Sequence, residues 1–62
     1  MSQETVARKV RCTQGMISHI LIGRKPPGHK LAVRLARRYG KTAEWWKAAT
    51  PDQRRRLLKD DL

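Results

Sequence analysis

QETVARKVRCTQGMISHILI, residues 3–22, is the stretch that decides how this chain folds. Its apolar positions fit two short helices meeting at a sharp angle. Val6, Ala7 and Val10 recur at helical spacing, and Ile17, Ile20 and Leu21 repeat that spacing after a break at Arg11, Cys12 and Thr13. Ala7 is small enough for two crossing helices to approach closely, and Cys12, a compact hydrophobe, suits the corner between them. Thr13 is the natural N-cap of the second helix, its hydroxyl accepting a backbone N–H that has no partner inside the helix.

The flanking sequence predicts three more helices. Ser2 stands as N-cap of a helix near residues 3–10, with Glu4 in its first turn where the helix dipole favours an acid. The second helix, near residues 14–22, ends at Gly23 as a left-handed C-cap. Arg24, Lys25, Pro26 and Pro27 form an extended link, and Gly28 permits the turn into a helix near residues 29–39, whose inner face carries Leu31, Ala32, Leu35, Ala36 and Tyr39. Thr42 caps a short helix, AEWWKAA. Thr50-Pro51-Asp52-Gln53 opens a last one with Thr as N-cap, Pro at N1 and Gln at N3, presenting Leu57, Leu58 and Leu62. No stretch alternates like a strand. The expectation is an all-α fold, a small bundle of four to five short helices in one domain spanning residues 1–62.

The chain has 62 residues and a formal charge of +10. Folding at this size buries only about 60% of the unfolded surface, so dimerisation is the expected remedy for a marginal core. Residues 1–41 hold ten Lys or Arg against the single acid Glu4, whereas residues 42–62 hold five against four acids. The positive charge therefore coincides with the two-helix stretch, and a polyanion, double-stranded DNA above all, is the expected partner. An anionic membrane would need an amphipathic helix with a free apolar face, and these faces are committed to the core. One Cys and two isolated His supply neither a disulfide framework nor a zinc site, so no cofactor or metal is expected. No apolar run exceeds three residues, so no secretory or membrane-spanning segment is expected and the protein should be soluble and cytoplasmic. A nucleophile–base pair, a phosphate-cradling glycine loop and a metal set are all missing, which argues against an enzyme.

Residues 3–22 form the pattern of a helix-turn-helix. From about Ser2 to Trp46 the chain resembles the helix-turn-helix family of phage Cro and lambda-type repressors, through the SQETVARKV opening, the apolar set Val6, Val10, Cys12, Ile17 and Ile20, and the GRKPP segment. The resemblance implies that Gln3 and the second-helix residues Thr13, Gln14, Gly15 and His19 face DNA. It also sets two expectations. The family has Gly in the turn where this chain has Arg11, and a positive φ there costs a non-glycine residue about 1–2 kcal/mol, so a different turn shape is expected. The family also carries a further helix before the motif, so another element must cover the exposed side.

The candidate base-contacting residues are Thr13, Gln14, Gly15 and His19. Gln14 opens the second helix, from which an amide can bond adenine N6 and N7 in the major groove; otherwise it is simply solvated. Gly15 weakens a helix, and either a close approach to DNA or a close helix crossing would account for it. Ser18 and His19 lie on the face opposite Ile17, Ile20 and Leu21. The candidate phosphate contacts are Gln3, which could instead brace Gln14 or stand exposed, with Ser18, Arg24, Lys25 and Lys30. Lys30, Arg34, Arg37, Arg38 and Lys41 form a stripe that is either a solvated face or a source of phosphate contact and steering. Arg54, Arg55 and Arg56 read as solvent-facing, with Arg56 and Asp60 able to pair. Trp45, Trp46, Leu57 and Leu58 are the candidate dimer interface: one Trp would cap the core while the other anchors a partner, unless both rim one small core.

These readings describe a DNA-binding repressor of a phage or mobile element that binds a two-fold symmetric operator as a dimer. Two alternatives stand beside it. One is an antitoxin-like or adaptor module gripping a protein partner through residues 42–62 while regulating its own promoter. The other is an RNA-binding or architectural protein that reads no bases.

Overall fold

The computed structural model describes residues 2–62. Among them the chain forms α1 (Gln3–Lys9), α2 (Gln14–Ile22), α3 (His29–Tyr39), α4 (Ala43–Ala48) and α5 (Pro51–Leu58), closed by a 3-10 turn at Lys59–Asp61, with no strand. The expected boundaries hold because local signals set them. Thr13, Thr42 and Thr50 each accept the backbone N–H three residues on, and Gln53 returns a bond to the Thr50 backbone to complete a capping box. Gly23 ends α2 at φ 79, and its missing side chain also admits α5, since a Cβ there would stand 2.9 Å from Pro51 Cγ. Ser2 is extended but its hydroxyl caps nothing, so α1 begins without the expected side-chain bond.

The core gathers Val6, Ala7 and Val10 of the first helix and its end, Ile17, Ile20 and Leu21 of α2, Leu31, Ala32 and Leu35 of α3, then Trp46 and Leu58. Cys12 packs half-buried at its edge, as the corner reading required. The turn does not change shape to suit Arg11. Arg11 takes φ 56, because the bonds from Cys12 N to Ala7 O at 2.9 Å and from Arg11 N to Arg8 O fix the corner, and the backbone strain is accepted. The side of the motif that needed cover receives it from the C-terminal half: α5 packs on α2, and the closing turn packs on α1.

One residue joins these halves, and its placement corrects the reading of the arginine run. Arg54 is buried at 4% exposure, while Arg55 and Arg56 face solvent. Its guanidinium donates from Nη1 to Ile20 O at 2.8 Å, from Nε to Trp46 O at 3.1 Å and from Nη2 to Lys47 O at 3.2 Å. All three carbonyls lie in the last turns of α2 and α4, where backbone acceptors lack helical partners and the dipole is negative. Burial pulls the Arg54 pKa below its ordinary value, yet a guanidinium does not deprotonate in a folded protein. The carbonyls stand in for the missing carboxylate.

A second long-range tie sits at the closing turn. Lys9 Nζ and the Tyr39 hydroxyl each donate to the Asp61 carboxylate at 2.8 Å. The ion pairs among the described residues are this one and Glu4–Arg8 at 3.0 Å, so the Arg56–Asp60 pair does not form.

Replacing Arg54 by Lys should destabilise the fold by about 3 kcal/mol, because a single ammonium cannot span carbonyls on two helices and leaves buried acceptors unbonded. Urea unfolding of the two proteins measures this. The Asp61 tie has a pH signature. Hydrogen bonds from Lys9 and then Tyr39 hold the Asp61 carboxyl below its ordinary value, so its contribution is complete above about pH 3.9 and is lost as pH falls toward the folded-state value. Asp61→Asn should therefore lose stability at neutral pH and show a shallower further loss in acid, read from thermal melts at pH 7 and pH 3.

Candidate nucleic-acid interface

The surface predicted to face DNA is assembled at the start of α2. Thr13 Oγ1 accepts from Met16 N at 3.2 Å, which fixes the first turn and directs the threonine hydroxyl inward to the helix rather than outward. Gln14 and Gly15 are exposed on that turn, and Gln14 has no side-chain partner among the described residues. Ser18 and His19 follow one turn later, half-buried, while Ile17, Ile20 and Leu21 occupy the core side. The structure thus brings Gln14, Gly15, Ser18 and His19 to one face of a single helix, running from the turn capped by Thr13 toward its last turn.

Gly15 had two explanations, and open space removes one. A Cβ at this position would meet only Thr13 Oγ1 at 4.0 Å, so no helix crosses closely enough to demand glycine. Gln3 opens α1 half-buried and forms no bond to Gln14, so the brace is absent.

The flanking cations are placed by the caps. Arg24 follows Gly23 with its N–H on His19 O at 3.0 Å, and the exposed Arg24 and Lys25 leave α2 from its C-terminal end. Lys30 stands exposed in the first turn of α3. Between the N-terminal ends of α2 and α3 lies a groove of about 530 Å³, bounded by Thr13 and Met16 on one side and by His29, Lys30 and Arg34 on the other. Met16 and Arg34 were not among the predicted contacts. Met16, 38% exposed, falls at a helical phase that reads equally as core edge or surface, so sequence gave little signal for it. Arg34 lay within the basic stripe. Its Nη1 bonds Arg11 O at 3.1 Å, a partner with no sequence signature.

Cys12 borders the same groove. Its thiol donates to Thr13 O at 3.5 Å, and burial pushes its pKa up against the lowering charge of Arg34. It is a packed thiol, not an activated nucleophile.

The dimer surface requires correction. Trp46 and Leu58 have no exposed area, being enclosed in the core of their own chain, and cannot anchor a partner. The Trp46 indole N–H donates to Gly40 O at 2.9 Å, which decides which tryptophan turns inward. Trp45 stacks edge-on against it at 5.1 Å between ring centroids, with Lys41 Nζ 5.6 Å from the Trp45 ring centroid, and remains half-buried, as does Leu57. No described helix is long and apolar enough to cross a membrane.

The Helix-turn-helix family model matches residues 1–46, most of the chain and all of the interface just described. The chain belongs to this family, in its XRE-type branch. It is a DNA-binding transcription regulator of all-α fold. Comparison with curated proteins and with solved structures finds no match.

Gly15→Ala separates stability from binding. Alanine fits the open space and should stabilise α2 by about 0.5 kcal/mol, while its methyl obstructs a close approach of the helix to DNA and weakens binding. Thermal melts and duplex titrations on the same variant should move in opposite directions.

Proposed function

We propose that the chain is a sequence-specific repressor that binds duplex DNA through the N-terminal end of α2, with two copies meeting on a two-fold symmetric operator. The observation that carries this reading is the exposed, unpartnered Gln14 on a first turn held rigid by the Thr13 cap. In the major groove the amide can accept from adenine N6 and donate to N7 at once, which discriminates adenine from other bases. Gly15 lets the helix backbone approach, and His19 reaches the next base or phosphate. Met16 adds an apolar contact suited to a thymine methyl. Gln3, Ser18, Arg24, Lys25 and Lys30 hold phosphates and release counterions, which supplies affinity without sequence preference. A protein seated over a promoter in this way excludes polymerase. The likeness to Cro and lambda-type repressors supports a phage or mobile-element regulator acting in the cytoplasm of a bacterial or infected cell.

Trp45 and Leu57 are what remains of the proposed dimer surface. Two half-buried side chains offer little apolar area, so the copies associate chiefly on DNA, where each half-site positions one subunit. The adaptor alternative, with a partner gripped by residues 42–62, loses Trp46 and Leu58 for the same reason.

Selection of bound sequences from a random duplex pool tests the reading, with enrichment of a two-fold symmetric site expected. On that site Gln14→Ala should cost about 1–3 kcal/mol per subunit and barely change binding to a scrambled duplex. Equal losses on both duplexes by a folded variant would remove Gln14 as a reader of sequence. With about eight phosphates neutralised by two subunits, log K against log salt should slope near −7.

A further inference from the structure

We infer that a cationic cleft formed by the C-terminal end of α1, the corner that follows it and the later turns of α3 is a docking site for a carboxylate-rich segment of a partner protein, usable while the regulator is on DNA. Lys9, Arg11, Arg34, Arg37 and Arg38 surround a cleft of about 350 Å³, floored by the buried Val10. Among the described residues only Lys9 of these five cations forms an ion pair, with Asp61, which is also bonded by Tyr39. Arg38 lies within electrostatic reach of the same Asp61 carboxylate, whereas Arg11, Arg34 and Arg37 are gathered with no carboxylate partner among the described residues, an arrangement that weakens the free fold through mutual repulsion. Two details show that the cations are held rather than scattered. Arg34 is fixed against the cleft wall by its bond to Arg11 O at 3.1 Å. Arg11 occupies φ 56, where glycine would sit without strain, so the chain bears a backbone cost to carry a guanidinium there.

The position argues for a second ligand. This step rests on the DNA reading, in which Gln3, Gln14 and Lys30 meet the duplex from the N-terminal ends of α1, α2 and α3. Lys9 lies about 9 Å along α1 from Gln3, and Arg37 and Arg38 lie about 11–12 Å along α3 from Lys30, at a rise of about 1.5 Å per residue. Arg34 borders both this cleft and the groove between α2 and α3, so a duplex seated on the three N-terminal ends leaves open the part of the cleft lined by Lys9, Arg37 and Arg38. A concave cleft of this volume admits individual carboxylates, which guanidinium forks bind in bidentate fashion, better than it admits the broad ridge of a duplex backbone. Screening over about 8 Å at physiological salt lets the acidic segment and the duplex bind together.

The test uses a fluorescein-labelled Glu-rich peptide, with its Gln counterpart as control, titrated against the protein alone and on its selected duplex. Arg37→Glu with Arg38→Glu should weaken the peptide at least about tenfold, while Arg55→Glu with Arg56→Glu, the same charge change on the exposed face of α5, should cost about threefold or less. Should the reversal prevent folding, as judged by circular dichroism, Arg37→Gln with Arg38→Gln makes the same comparison. Saturating duplex should leave peptide affinity nearly unchanged. Equal losses in both double variants would overturn the proposal, since net charge alone would then explain binding. Displacement of the peptide by duplex would overturn it too, assigning the cleft to the DNA backbone. A protein that takes the peptide through these arginines but binds no duplex supports the cleft and contradicts the DNA reading instead.

Discussion

The helix α2, proposed above to read DNA, stays where it is because one buried guanidinium holds its C-terminal end. Arg54 reaches from α5 to the last turns of both α2 and α4 and closes three carbonyls that the helices cannot close themselves. A domain this small has few buried apolar groups with which to fix a helix, so a directional bond to α2 matters more than it would in a larger core. The consequence reaches the opposite end of α2. A helix anchored at Ile20 and capped at Thr13 presents Gln14 at a defined height and angle, which base readout through a bidentate amide requires. The C-terminal half of the chain thereby positions the proposed interface from behind.

Charge is distributed to a different purpose. Beyond the Glu4–Arg8 and Lys9–Asp61 pairs, the basic residues of α1, the link and α3 go without carboxylate partners among the described residues. That imbalance opposes folding, and it is tolerated because the polyanion relieves it on binding. The fold and the ligand are therefore linked, and bound DNA should stabilise the protein beyond the simple contacts at α2.

Most of the fold was legible in the sequence because its signals are local. Thr-x-x capping patterns, the glycine after α2 and the apolar spacing each act within one or two turns, and the structure follows them nearly residue for residue. Long-range placements were not legible. Arg54 sits in a run of three arginines that reads as solvated, and its partners are backbone carbonyls, which any residue supplies. Helix phase separates Trp45 from Trp46 by about 100° without saying which turns inward, and the Gly40 carbonyl makes that choice. Lys9 and Asp61 meet across 52 positions of sequence, from elements that have no shared pattern. At the candidate interface, the proposed DNA-facing residues of α2 were readable as one helix face, but the two causes for Gly15 could be told apart only by the empty space around it. Arg11 shows the limit of propensity, since the corner bonds impose a left-handed backbone on a residue that disfavours it.

We propose the N-terminal half of α2, held from behind by α5, as the surface that reads DNA. Amide resonances recorded before and after addition of the selected duplex test it most directly. The largest shifts should fall at residues 13–19, with smaller ones at Gln3, Arg24, Lys25 and Lys30 and little change along α5. Shifts centred on α4 and α5, with residues 13–19 undisturbed, would contradict it.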